Sequence, residues 1–194
     1  MKTILILIGL CTAAFYSSAQ NASKAKVDYD GFLEMTKDIA AYRQARVIDI
    51  ETFNQFAGDP KTIILDTRSK WAYDVVHVAG AVHLNFSDFT QAKLDALIPS
   101  KDTRILIYCN NNFAFDQLQA MGDKVVELAL NIPTFINLYG YGYTNIYELE
   151  DYLNESDERV KFEGTGMPVI QTNSTKTDIL LEYWIQKGNC LTQG

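Results

Sequence analysis

Blocks of continuous apolar residues alternate along this chain with segments whose apolar positions recur every three to four residues. In segment 29–46, Phe32, Leu33, Met35, Ile39 and Tyr42 fall at helical spacing. Val47-Ile48 reads as a short extended piece. Asp49 is a plausible N-cap for a helix reaching about residue 57, with Gly58 as its stop and Asp59-Pro60 as a turn. Thr62-Ile63-Ile64-Leu65 is an apolar, β-branched run, the pattern of a strand buried on both faces in a parallel sheet. A helical piece around 70–76, a short strand at 81–84 and a helix over 89–97, ended by Pro99, follow. Residues 104–108 form a second fully buried strand that runs directly into Cys109-Asn110-Asn111-Asn112. Residues 115–130 are helical in pattern, Pro133 ends or kinks that helix, and 135–138 continue a second one. Residues 139–143 read as a turn and 145–149 as the last strand. Such alternation predicts an α/β fold with a largely parallel sheet. Beyond a polar stretch over 154–176, Ile179, Leu180, Tyr183 and Trp184 share one face of a C-terminal helix that Gly188 stops.

The first apolar block has a different meaning. Met1-Lys2-Thr3, the run from Ile4 to Leu10 and the small residues Ser17-Ser18-Ala19 together form a secretory signal. The run is too short to span a bilayer comfortably. Export to a periplasmic or extracellular setting is therefore expected, with residues 1–19 removed. Cys11 is a poorer candidate for lipid attachment, because bulky Leu10 precedes it. The expected division is a signal peptide at 1–19, a helical extension at 20–46, the α/β domain at 47–153, and a linker and helix at 154–194.

Composition narrows the function. The 194 residues hold 17 Lys+Arg against 24 Asp+Glu, a net charge of −7, which argues against nucleic acid as the main partner. Two histidines and scattered cysteines do not make a metal site, and no glycine-rich phosphate loop occurs. No metal or cofactor is expected. Asn-x-Ser/Thr occurs at Asn21, Asn85, Asn154 and Asn173, with Asn85 a poor glycan site inside the domain.

Of three cysteines, Cys109 and Cys190 survive export. Cys109 follows the most apolar strand, and ligands in open α/β sheets bind at the carboxyl ends of strands. A loop leading toward a helix N-terminus presents backbone N–H groups that favour a thiolate and a bound anion. Asn110, Asn111 and Asn112 tolerate the positive φ that such a bowl needs, and their amides add donors. A polar turn carrying an inert cysteine is the competing reading.

Three segments then resemble one family. Asp66-Thr67-Arg68, Tyr73, His77, Gly80-Ala81 and Asn85 are similar to the rhodanese signature. Residues 105–109 resemble the rhodanese strand that carries the catalytic cysteine, and 141–149 resemble the family's closing segment. The resemblance covers residues 47–153. It implies a five-stranded, mainly parallel sheet flanked by helices, and sulfurtransferase chemistry through a persulfide on Cys109. It also implies donor binding by Asn110, Asn111, Asn112, Phe113 and Ala114, with Arg68 adding positive potential. Asp66 and Arg68 double as a scaffold, His77 as a turn holder, His83 as packing or surface, and the tyrosines of 139–147 as packing.

One departure stands out. Family members carry an Arg about five positions after the cysteine, where this chain has Ala114, and no Lys or Arg occurs from Asn110 to Asp123. Thiosulfate is thereby a doubtful donor, and an uncharged or protein-borne persulfide fits better. Phosphatase chemistry, which needs Cys-x5-Arg, is excluded because position 115 is Phe. Two alternatives stay open: a non-catalytic interaction module, and a thiol-redox protein using Cys109 and Cys190. The oligomeric state is unassigned.

Overall fold

The protein is described by a computed structural model over residues 25–114, 124–154 and 156–165. Helix α1 (Tyr29–Gln44) is N-capped by Asp28, whose side chain accepts from the Gly31 N–H. Strand β1 (Val47–Ile48) leads into α2 (Ile50–Ala57), which Asp49 caps by accepting from the Thr52 N–H at 2.8 Å. The rest of the α/β unit is β2 (Ile63–Asp66), α3 (Lys70–Val75), β3 (His77–Val78), β4 (Val82–His83), α4 (Gln91–Leu97) and β5 (Ile105–Tyr108). After β5 come a 3-10 turn (Asn110–Asn112), β6 (Phe113–Ala114), α5 (Asn131–Gly140), β7 (Ile146–Leu149), β8 (Leu153–Asn154) and β9 (Phe162–Glu163).

The main sheet has five parallel strands in the order β1-β7-β5-β2-β4. All four residues of β5, its central strand, are buried, because helices cover both faces. Side chains alternate along a strand, so two cores form. Ile105 and Ile107 join Leu65, Ile146, Ile39, Leu94 and Phe135 on the face of α1, α4 and α5. Leu106 and Tyr108 join Ile64, Ile50, Phe53 and Phe113 on the face of α2. By the same alternation Cys109 falls on the α5 face.

The sheet and its helical flanks match the expected fold class, but the chain after β5 does not follow the periodicity. Of the helix expected over 115–130, residues 115–123 lie outside the described residues, and the remainder holds a 3-10 turn (Val126–Leu128). The α-helix starts at Asn131, so Pro133 stands in its first turn rather than ending it. Proline is tolerated there because first-turn N–H groups have no intrahelical acceptor. The asparagines also differ from expectation. Among the described residues only Gly80, Gly142 and Gly164 have positive φ, and Asn110–Asn112 make a 3-10 turn instead. Two small pairings were not legible in the sequence: antiparallel β3–β9 and parallel β6–β8, each two residues long. The C-terminal helix expected over 178–187, Cys11 and Cys190 lie outside the described residues.

The tyrosines serve packing. Tyr143 is buried and donates to Asp95 Oδ1 at 2.7 Å, Tyr141 donates to the Phe89 carbonyl, and Tyr147 meets Phe56 edge-on. The histidines hold backbone. His77 Nδ1 lies 2.7 Å from the Tyr73 carbonyl, and His83 Nε2 lies 2.9 Å from that of Arg68. No helix among the described residues is long and apolar enough to cross a membrane.

Candidate active site

Cys109 sits at the carboxyl end of β5 as the cap of the 3-10 turn, 1% exposed and as a free thiol. Backbone N–H groups of Asn111, Leu130 and Asn131 point to its sulfur. Two of these come from the start of α5, so a helix N-terminus and the post-strand turn meet at one atom. That is the setting in which partial positive charge can support a sulfur anion. Burial nevertheless dominates. It pushes the Cys109 thiol up from its ordinary value, the three N–H groups pull it down, and the charge of Glu148 pushes it up further.

A neutral resting thiol has a measurable consequence. Alkylation of Cys109 by iodoacetamide should be slow at neutral pH. Its rate should climb about tenfold per pH unit, because the thiolate is the nucleophile, and level off only above the ordinary thiol range. A plateau already reached at neutral pH would contradict the burial argument.

The asparagines divide their work. Asn112 is 4% exposed, and its Oδ1 accepts from the Cys109 N–H and from Asn131 Nδ2, both at 2.9 Å. Its Nδ2 donates to the carbonyls of Leu149 at 2.8 Å and Asp151 at 3.1 Å. Asn112 therefore ties the cysteine turn to the end of β7 and the start of α5. Asn111 pairs with Lys124: its Nδ2 donates to the Lys124 carbonyl, and its Oδ1 accepts from the Lys124 N–H. Its Oδ1 also lies 4.0 Å from the Cys109 sulfur. Asn110 Oδ1 accepts from Arg68 Nη1 at 3.1 Å.

Arg68 is 3% exposed and bound bidentately to Asp66, which is fully buried. It also donates to the Val76 carbonyl. Its guanidinium thus reaches the cysteine turn through Asn110 while its charge is neutralised by Asp66. Phe113 packs edge-on against Tyr108 and Phe162, and with Ala114 it forms the ladder to Leu153 and Asn154. The structure thus brings Arg68, Asn110, Asn111 and Asn112 to the turn around Cys109. It uses Phe113 and Ala114 as framework.

Sequence reasoning missed Leu130, Asn131, Glu148 and Arg43. A signal for the first two existed, since a Pro two residues after Asn131 is compatible with a helix start there. Glu148 carried no such signal: its burial at 6% exposure depends on neighbours distant in the chain.

A family model described as the rhodanese-like domain matches residues 49–155. The chain belongs to the rhodanese-like domain family. Among curated proteins it is similar to tRNA uridine(34) hydroxylase of Erwinia tasmaniensis, 24% identical over 135 residues, or 68% of this chain and 32% of that protein. The tRNA uridine(34) hydroxylase of Legionella pneumophila (strain Corby) is 24% identical over 114 residues, 57% of this chain and 39% of that protein. The chain therefore spans about a third of the length of the curated relatives it matches. Among solved structures, the BH2092 protein of Bacillus halodurans is 16% identical, covering 69% of this chain and 88% of that chain, with a TM-score of 0.47. The rhodanese-like domain of the Anabaena Alr3790 protein is 14% identical, covering 67% and 87%, with a TM-score of 0.45.

Proposed function

We propose that this rhodanese-like protein is an exported sulfurtransferase that carries sulfane sulfur as a persulfide on Cys109. The supporting observation is the convergence of three backbone N–H groups on one buried sulfur at the carboxyl end of the central strand. In the first step the Cys109 thiol loses its proton to solvent. Its sulfur then bonds to the outer sulfur of the donor as the donor's own sulfur–sulfur bond breaks, and the donor leaves as an anion. In the second step an acceptor thiolate takes the outer sulfur and Cys109 leaves as thiolate. No net oxidation occurs across the cycle. The N–H groups of Asn111, Leu130 and Asn131 would steady negative charge on the sulfur in both steps.

Donor chemistry follows from charge. The turn carries no Lys or Arg from Asn110 to Asp123; of its described basic neighbours, Arg68 is paired with Asp66 and Lys124 meets Asn111 through its backbone. A low-molecular-weight or protein persulfide therefore suits the site better than thiosulfate. The role named for the curated relatives, hydroxylation of a tRNA uridine, is not carried over. The shared region is about a third of those proteins, and a net charge of −7 opposes binding to a polyanion. Export rests on the segment 1–19, and N-terminal sequencing of the protein recovered from cells checks it.

One observation favours a second reading, the non-catalytic module: burial keeps the thiol neutral. Treating the protein with glutathione persulfide, and separately with thiosulfate, separates the two. Intact-protein mass spectrometry is expected to show one added sulfur on Cys109, more readily from the persulfide. No added sulfur from either donor would favour the module.

A further inference from the structure

Residues 160–165 lie beyond the family match, and the sulfur chemistry above gives them no task. They form a strap laid antiparallel on β3, with Val78 opposite Phe162 and His77 opposite Glu163. The strap is tied along its length. The Ala79 N–H donates to the Lys161 carbonyl at 2.8 Å, and the Gly80 N–H donates to Glu163 Oε2 at 3.3 Å. Thr165 donates to the Asp74 carbonyl from its N–H at 2.8 Å and from its hydroxyl at 3.0 Å. Gly164 has a φ of +151°, and a Cβ there would collide with the Val75 carbonyl oxygen. Any side chain at this position is excluded twice, by backbone conformation and by space.

The strap meets the supports of the cysteine turn in two places. The first is aromatic. Phe162 stands edge-on to Phe113, with ring centroids 5.1 Å apart. Phe113 closes the 3-10 turn after Cys109, its N–H donating to the Asn110 carbonyl. The Phe113 ring in turn meets that of Tyr108, the residue before Cys109, at 5.5 Å. A ring from outside the family match therefore backs the two rings that bracket the cysteine. The second place is backbone. Gly164 packs on Val75 and Val76, and the Val76 carbonyl accepts from Arg68, whose Nη1 donates to Asn110 Oδ1 at 3.1 Å. The Val78 N–H, on the strand that the strap pairs with, donates to the Tyr108 hydroxyl at 3.1 Å, and that hydroxyl donates to Asp66.

We propose that this strap is a positioning element of the sulfur site. Phe162, acting through Phe113, and Gly164, acting through Val76 and Arg68, hold the turn 110–112 closed around Cys109. The segment that follows the rhodanese-like region is on this account part of the site's construction. The proposal takes its functional meaning from Cys109 being the working thiol. Its test reads how well the thiol is shielded rather than sulfur transfer, so the two ideas fail separately.

The test is the rate of iodoacetamide alkylation at Cys109, read by peptide mass spectrometry on the full-length protein at one fixed pH. A shielded thiol reacts through local opening, so loss of the strap's hold should quicken it. F162A and G164A are each expected to raise the rate on the order of tenfold. F162L keeps most of the apolar volume and should raise it by less than F162A. Amide hydrogen exchange separates positioning from general stability: it should quicken over the turn 110–113 and stay at the native rate over α4. A native alkylation rate in either folded variant, F162A or G164A, overturns the proposal. So does exchange that quickens as much over α4 as over the turn, or failure of both variants to fold, since the strap would then hold the whole domain rather than the turn.

Discussion

Cys109→Ala is expected to bring thiocyanate formation from a persulfide donor and cyanide down to the rate without protein, a loss on the order of 10³-fold or more. The physical reason is that no second thiol stands at the site among the described residues. The described groups around Cys109 are amides, backbone N–H groups and a carboxylate, and none forms a persulfide. Cys109→Ser is the sharper control. It keeps the size and hydrogen bonding of the side chain but removes the sulfur, so it should be as inactive as the alanine variant. Transfer that persists in both variants would sink the sulfurtransferase reading. Cys109 is 1% exposed, so neither substitution disturbs the protein's surface, and matching circular dichroism spectra would show that activity was lost from an intact fold.

The second large effect is on stability. Asp66→Asn should cost about 3–5 kcal/mol, read from the urea midpoint, because it strands the buried Arg68 guanidinium. Asp66 accepts from Arg68 Nε, from Arg68 Nη2 at 2.7 Å, from the Arg68 backbone N–H at 2.9 Å and from the Tyr108 hydroxyl at 2.6 Å. Asparagine retains one oxygen but not the charge, so most of the loss should remain. Arg68→Lys should also be costly, since an ammonium cannot make the forked contact to Asp66 while reaching Asn110 and the Val76 carbonyl. The cysteine turn would feel both changes, because Arg68 supports it through Asn110. A loss under about 1 kcal/mol in Asp66→Asn would show that the pair is not the scaffold the geometry indicates.

The two effects rest on residues read differently from sequence. Asp66 and Arg68 stood out as a strand-end pair, and the structure makes them a nearly inaccessible clamp between β2 and the cysteine turn. The three asparagines stood out as ligands of a donor anion. The structure turns Asn112 wholly inward, with four hydrogen bonds to the turn, β7 and α5. Residue type alone could not separate those roles, since an amide that binds an anion and one that braces a loop look alike in a string of letters.

Local pattern determined much of this protein. Apolar β-branched runs marked β2 and β5 as strands covered on both sides, and Asp49 marked the start of α2, because burial and capping depend on near neighbours. The position of Cys109 at a strand end was legible for the same reason. Only tertiary structure decided what surrounds the sulfur. The start of α5 and Glu148 of β7 act on it from 22 and 39 positions away in the chain, and Glu148 is in turn paired with Arg43 of α1. No periodicity records such meetings. They are set by which strands adjoin and which helix lies over them, and the desolvation and charge that control the thiol follow from that packing.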